Sequence, residues 1–129
     1  MISVDTNVLV RIFVNDESDR SQIEKARQTV KNHNRVYISH IVLVETVWVL
    51  KSLYGFPKKQ IVETLEHLVN NQAFVLESET LCRDALILYR GTNVSFSDAM
   101  ILVNSRQKGY SLLTFDKKLV KLDGTTGVS

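Results

Sequence analysis

Ile2-Ser3-Val4-Asp5-Thr6-Asn7-Val8-Leu9-Val10 is the stretch on which the fold of this 129-residue chain turns. Its apolar, β-branched start reads as a short buried strand. Asp5-Thr6-Asn7 then offers side-chain oxygens to the first turn of a helix, whose apolar face is Val8, Leu9, Ile12 and Phe13 until Asn15-Asp16 breaks it. Asp5 therefore sits at the carboxyl end of a strand, the edge at which open α/β sheets bind their ligands.

The same alternation continues outward. A second helix opens near Ser18, or at Ser21 with Glu24 in a capping box, and runs to about Asn34. Residues 35–38 form a second strand. Ser39 caps a long helix that stops at Gly55, and Pro57 starts the next, with Ile61, Leu65, Leu68 and Val69 on one face. Residues 73–76 make a third strand. Ser78 opens a fifth helix closed by Gly91, and Ser97-Asp98 opens a sixth, with Ile101 and Leu102 inward, closed near Gly109. Residues 110–114 are a fourth strand, Asp116 starts a single helical turn, and residues 124–129 read as a polar tail. Strands alternating with helices predict an α/β fold: a three-layer α/β/α sandwich around a central, mainly parallel sheet of four to five strands. The length suits a single domain, 1–129, able to bury a core without disulfides or structural zinc.

Composition excludes several classes. With 44% hydrophobic and 23% charged residues the chain is neither disordered nor membrane-embedded. Its longest apolar run, residues 41–50, is interrupted by Glu45 and Thr46 and is too short to span a bilayer. No basic flank or cleavage site marks a signal peptide, so a cytoplasmic location is expected. The lone cysteine, Cys82, lies in an apolar helical pattern and reads as core filling. The net charge is only +2, from 16 basic and 14 acidic residues. Setting four acids aside in one site leaves a surplus of six positive charges on the remainder, enough to attract a polyanion, as evenly solvated lysines would also give.

Those four acids are Asp5, Glu45, Asp98 and Asp116. Glu45 lies among Val42, Leu43, Val44, Val47, Trp48, Val49 and Leu50, which predicts a buried carboxylate in need of a cation; an arginine partner or a narrow exposed stripe is the plainer reading. Asp5, Asp98 and Asp116 each also read as ordinary helix caps. What distinguishes them is agreement. In a doubly wound sheet Asp5 and Asp116 leave the carboxyl ends of strands, Asp98 begins the helix crossing between strands, and all three face one edge. Four carboxylates in one cleft raise one another's pKa unless a dication joins them. An all-oxygen set selects Mg²⁺ or Mn²⁺ over zinc, and the reaction such ions serve is phosphodiester hydrolysis. His33, His40 and His67 lie on other segments and read as surface or packing residues. Thr6, Asn7 and Ser97, adjacent to the acids, are candidates to orient them through hydrogen bonds, or simply turn and cap residues. Arg106, Lys117 and Lys118, with Lys108 and Lys121, are candidates for phosphate contact, or helix-end and solvated cations. A phosphatase using an aspartyl nucleophile would need a second Asp two positions after Asp5, where Asn7 stands.

Val-Asp-Thr-Asn-Val-Leu-Val at residues 4–10, Glu45 followed by Thr-Val-Trp-Val-Leu, Phe-Ser-Asp-Ala around Asp98, and Leu-Leu-Thr-Phe-Asp-Lys-Lys-Leu around Asp116 resemble the PIN-domain ribonucleases, and among them the VapC-type toxins of toxin-antitoxin pairs. The resemblance covers essentially the whole chain. It implies a metal-dependent endoribonuclease in which Asp5, Glu45, Asp98 and Asp116 bind Mg²⁺ or Mn²⁺, with Asp116 the most variable position. It also implies an RNA substrate, a homodimer and a cognate antitoxin. The alternatives are a catalytically silent PIN-like domain that binds RNA or protein, with the acids as caps and ion-pair members, and a non-toxin RNA-processing nuclease.

Overall fold

The computed structural model describes residues 1–128. The chain divides into two compact units, Met1–Glu77 and a second that begins at Ser78.

In the first unit, β1 (Ile2–Ser3), β2 (Val36–Ile38) and β3 (Phe74–Leu76) form a parallel sheet in the order β1-β2-β3, with Ile2 opposite Val36 and Val36 opposite Phe74. Parallel neighbours cannot be joined by a tight hairpin, and helices supply both crossovers. Between β1 and β2 run α1 (Thr6–Phe13), a 3-10 turn (Glu17–Asp19) and α2 (Arg20–Lys31); between β2 and β3 run α3 (His40–Ser52) and α4 (Lys58–Asn70). α1 packs on both α2 and α3. The start of the second helical segment is set by Asp16, whose side chain accepts the Ser18 N–H, and no capping box forms at Ser21. Gly55 turns the chain between α3 and α4 at φ +66, a conformation that costs a side-chain-bearing residue free energy. Leu9, Ile38, Leu43, Leu50, Ile61 and Leu65 are fully buried and form the centre of this unit's core.

The second unit holds α5 (Glu79–Gly91) packed along α6 (Phe96–Gln107), then β4 (Leu112–Thr114), a 3-10 turn (Leu119–Lys121) and β5 (Thr125–Gly127). Cys82, Ala85, Phe96, Ala99 and Leu102 are buried between or beside the helices, and Tyr89 meets Phe96 edge to face at 5.8 Å. Burial pushes the Cys82 thiol up to about 11, in keeping with its expected place in the core.

All strand pairings are parallel and alternate with helices, as expected of the α/β class, and among the described residues the five strands form one three-stranded and one two-stranded sheet. Two expectations need correction. The C-terminal stretch is not only a polar tail: residues 125–127 pair with β4, Leu112 opposite Thr125 and Thr114 opposite Gly127. The edge of β4 supplies unpaired backbone groups, and the β-branched Thr125 and Thr126 take them up. Gly124, at φ +88, makes the entry turn, and a Cβ there would lie 3.0 Å from Arg106 Cγ. Leu102 is buried as expected but Ile101 faces solvent; α6 begins two residues earlier than Ser97-Asp98 suggests, and its inward face is Ala99, Met100, Leu102 and Val103. Among the described residues no helix is long and apolar enough to cross a membrane.

Candidate active site

Asp5 follows β1 in extended conformation (φ −90, ψ 178) and caps α1, its Oδ1 accepting the Val8 N–H at 3.0 Å. Its neighbour Thr6 enters the first turn of α1, where the Oγ1 hydroxyl donates to Glu45 Oε1 on α3 at 3.0 Å. One hydrogen bond thus connects the residue after Asp5 to Glu45. Asn7 is exposed, and its carbonyl accepts from Arg11 Nη1, while Arg11 Nε pairs with Asp19 at 2.8 Å.

Glu45 is not buried as expected: it is exposed, on the same side of α3 as Ile41 and Trp48, which are 74% and 63% exposed. The reason is that α3 is apolar nearly all round, so composition cannot say which face the rest of the unit covers. Leu43, Thr46, Val47 and Leu50 turn inward and Glu45 outward. Its carboxylate is held by Thr6 rather than by the cost of desolvation. The histidines keep to other tasks. His40 Nδ1 stands 3.5 Å from Glu77, His67 meets Phe13 and Phe74 edge on, and His33 bonds the Thr29 carbonyl.

In the second unit Asp98 is half-buried in the first turn of α6. The cap of that helix is Ser95, whose Oγ accepts the Asp98 N–H at 3.1 Å and bonds the Ser97 hydroxyl at 3.0 Å. Ser95 was legible as the first member of a Ser-x-x-acid spacing, masked by the more conspicuous Ser97-Asp98 pair. The placement leaves the Asp98 carboxylate free of any capping duty, with its charge near the positive end of the helix dipole.

Asp116 lies just beyond β4, and its Oδ1 accepts two backbone N–H groups, from Lys118 at 2.8 Å and Leu119 at 2.9 Å. Those bonds, to Leu119 first and then Lys118, hold its carboxyl below the ordinary carboxylate range, with the Lys118 charge adding to the effect. A group whose folded pKa lies below its unfolded value stabilises the fold above the ordinary range and loses that contribution as pH falls through the folded value. The melting-point advantage of the native chain over Asp116→Asn is therefore expected to be full at pH 7 and to shrink on acidification below about pH 4. An advantage that grows on acidification instead would contradict the bonding described.

Of the basic residues, Arg106 is committed within its own unit: Nε donates to the Asp123 carbonyl at 2.8 Å and Nη2 donates to the same oxygen. Lys108, Lys117, Lys118 and Lys121 are exposed. A cavity of about 370 Å³ beside α5 and α6 is lined by Asp84, Ile87, Leu88, Val103, Arg106 and Gln107, and none of the four acids borders it. Among the described residues no three His, Cys, Asp or Glu side chains gather as a metal-binding group; Asp5 and Glu45 lie in the first unit, Asp98 and Asp116 in the second. All four candidates are carboxylates, the kind of hard oxygen side chain that suits Mg²⁺ or Mn²⁺.

A strand-ending aspartate that caps the next helix, tied through its neighbour to a glutamate two helices on, sits in a chain that matches the PIN domain family model over residues 2–125, and the chain belongs to that family. A curated relative, the VapC ribonuclease of Aquifex aeolicus (strain VF5), is 24% identical over 121 residues, covering 92% of this chain and 90% of the relative. A similar solved structure is the crystal structure of Mycobacterium tuberculosis VapC20, described as a sarcin-ricin loop cleaving toxin, at 20% identity and a TM-score of 0.47, covering 94% of each chain.

Proposed function

We propose that residues 1–129 act as one PIN nuclease domain, a Mg²⁺- or Mn²⁺-dependent endoribonuclease that hydrolyses phosphodiester bonds in single-stranded RNA. What carries this reading is family membership over a span that includes all four acids. The relative named VapC ribonuclease supports the choice of RNA. The same likeness, with the motifs around Asp5, Glu45, Asp98 and Asp116, supports a role as the toxin of a cytoplasmic toxin-antitoxin pair, working as a homodimer and restrained by a cognate antitoxin.

Asp5, Glu45, Asp98 and Asp116 would hold the ion. When bound, it supplies a Lewis acid that activates water and offsets charge on the phosphate. The chain's part is to present and orient oxygens. Thr6 fixes Glu45 by holding Oε1. The Val8 N–H fixes Asp5 through Oδ1, and the backbone of residues 118 and 119 fixes Asp116 in the same way. Ser97, bonded to the Ser95 hydroxyl, steadies the turn that carries Asp98, and Asn7 lies beside the Asp5 cap. Substrate phosphates fall to Lys117 and Lys118, since Arg106 is engaged by Asp123.

The test is a thermal melt of the purified chain with Mn²⁺ or with EDTA, alongside cleavage of a single-stranded RNA. An ion that binds the native state must raise the midpoint, by the equivalent of about 2.7 kcal/mol at a hundredfold excess over Kd. Cleavage is expected to require the ion. A midpoint indifferent to Mn²⁺, or cleavage that persists in EDTA, would sink the proposal.

A further inference from the structure

Phe115 is 82% exposed, the highest value among the large apolar side chains described. A single exposed apolar residue is ordinary on a protein surface. The backbone around this one is not. On one side Thr114 Oγ1 accepts the Asp116 N–H at 2.9 Å, and the Thr114 carbonyl accepts the Val128 N–H at 3.0 Å. On the other, Asp116 takes the Lys118 and Leu119 N–H groups on its side chain and the Val120 N–H on its carbonyl. The ring is thus presented from a turn fixed at both ends, so little backbone freedom remains to be lost when a partner docks. Exposed Lys117 and Lys118 follow it, and the candidate acid Asp116 is the very next residue.

We propose that Phe115 is a positioning residue for the substrate: its ring stacks on a nucleobase of single-stranded RNA, while Lys117 and Lys118 meet the flanking phosphates. Aromatic rings on fixed backbone beside cations are how single strands are gripped without regard to sequence, because every base has a face to stack. A protein partner could use an apolar ring as well, but two adjacent lysines match a polyanion. This inference rests on the reading of the chain as a ribonuclease.

The experiment measures binding of a fluorescein-labelled single-stranded RNA in EDTA and its cleavage in Mn²⁺ for the native chain, Phe115→Ala, Phe115→Tyr and, as a control, Ile87→Ala, which removes another exposed apolar side chain on α5. Phe115→Ala is expected to weaken binding and raise KM by about fivefold to a hundredfold, with kcat and melting midpoint little changed. Phe115→Tyr is expected to restore both, and Ile87→Ala to match the native chain. Unchanged binding in Phe115→Ala, failure of Phe115→Tyr to restore it, or a midpoint that drops in Phe115→Ala as for a packing residue overturns the stacking role alone. Native protein that neither binds nor cleaves RNA overturns the functional reading along with it.

Discussion

Asp5→Asn is expected to abolish metal-dependent RNA cleavage while leaving the fold in place. The two side chains have the same shape, and an Asn oxygen accepts the Val8 N–H as the carboxylate does at 3.0 Å, so the cap on α1 survives. What disappears is the negative charge. Changes to residues that merely orient a metal ligand cost about 10- to 100-fold, and losing a ligand should exceed that, so activity should fall more than about a hundredfold. Asp5→Ala makes the contrast, because it removes charge and cap together and should also cost about 0.5–2 kcal/mol in stability. Cleavage assays paired with melts of both variants give the answer. Near-native cleavage by Asp5→Asn would mean that Asp5 is a cap and nothing more.

Leu9→Ala is expected to be the most damaging single truncation near the site. Leu9 is fully buried one turn after Asp5, in the helix that carries Thr6 to Glu45. Deleting a buried leucine side chain leaves a cavity and costs about 2–5 kcal/mol, a large share of the total stability of a small domain. The melting midpoint should drop on the order of 10 °C. Ile41→Ala, on the outer face of α3 and 74% exposed, should stay within about 0.5 kcal/mol of the native chain. A large loss at Ile41 that deepens on dilution would show instead that a second molecule covers that face in solution.

Asp5 and Glu45 mark where the sequence could be read and where it could not. Asp5 was legible because its setting is local: an apolar strand, a capping side chain and an amphipathic helix follow one another within ten residues. Helix and strand order, and the packing of Cys82, come from similar short-range patterns. Glu45 was misplaced because burial is decided by which face the neighbours cover, and α3 offers apolar side chains in nearly every direction. The strand at residues 125–127 was hidden for a related reason. Two threonines between glycines have no strand character worth reading until β4 lies beside them. Ser95 shows a smaller failure, a cap two residues ahead of the Ser-Asp pair that drew attention.

The buried sulfur described in α5 has a practical corollary. With its acidity suppressed, it stays protonated at neutral pH and does not compete for maleimides or methanethiosulfonates. Any cysteine placed on the surface would then be the sole reactive thiol. Spin labels or donor-acceptor dyes can be attached at chosen points without first rebuilding the interior, and spectroscopic rulers can gauge the spacing of the two halves directly in solution.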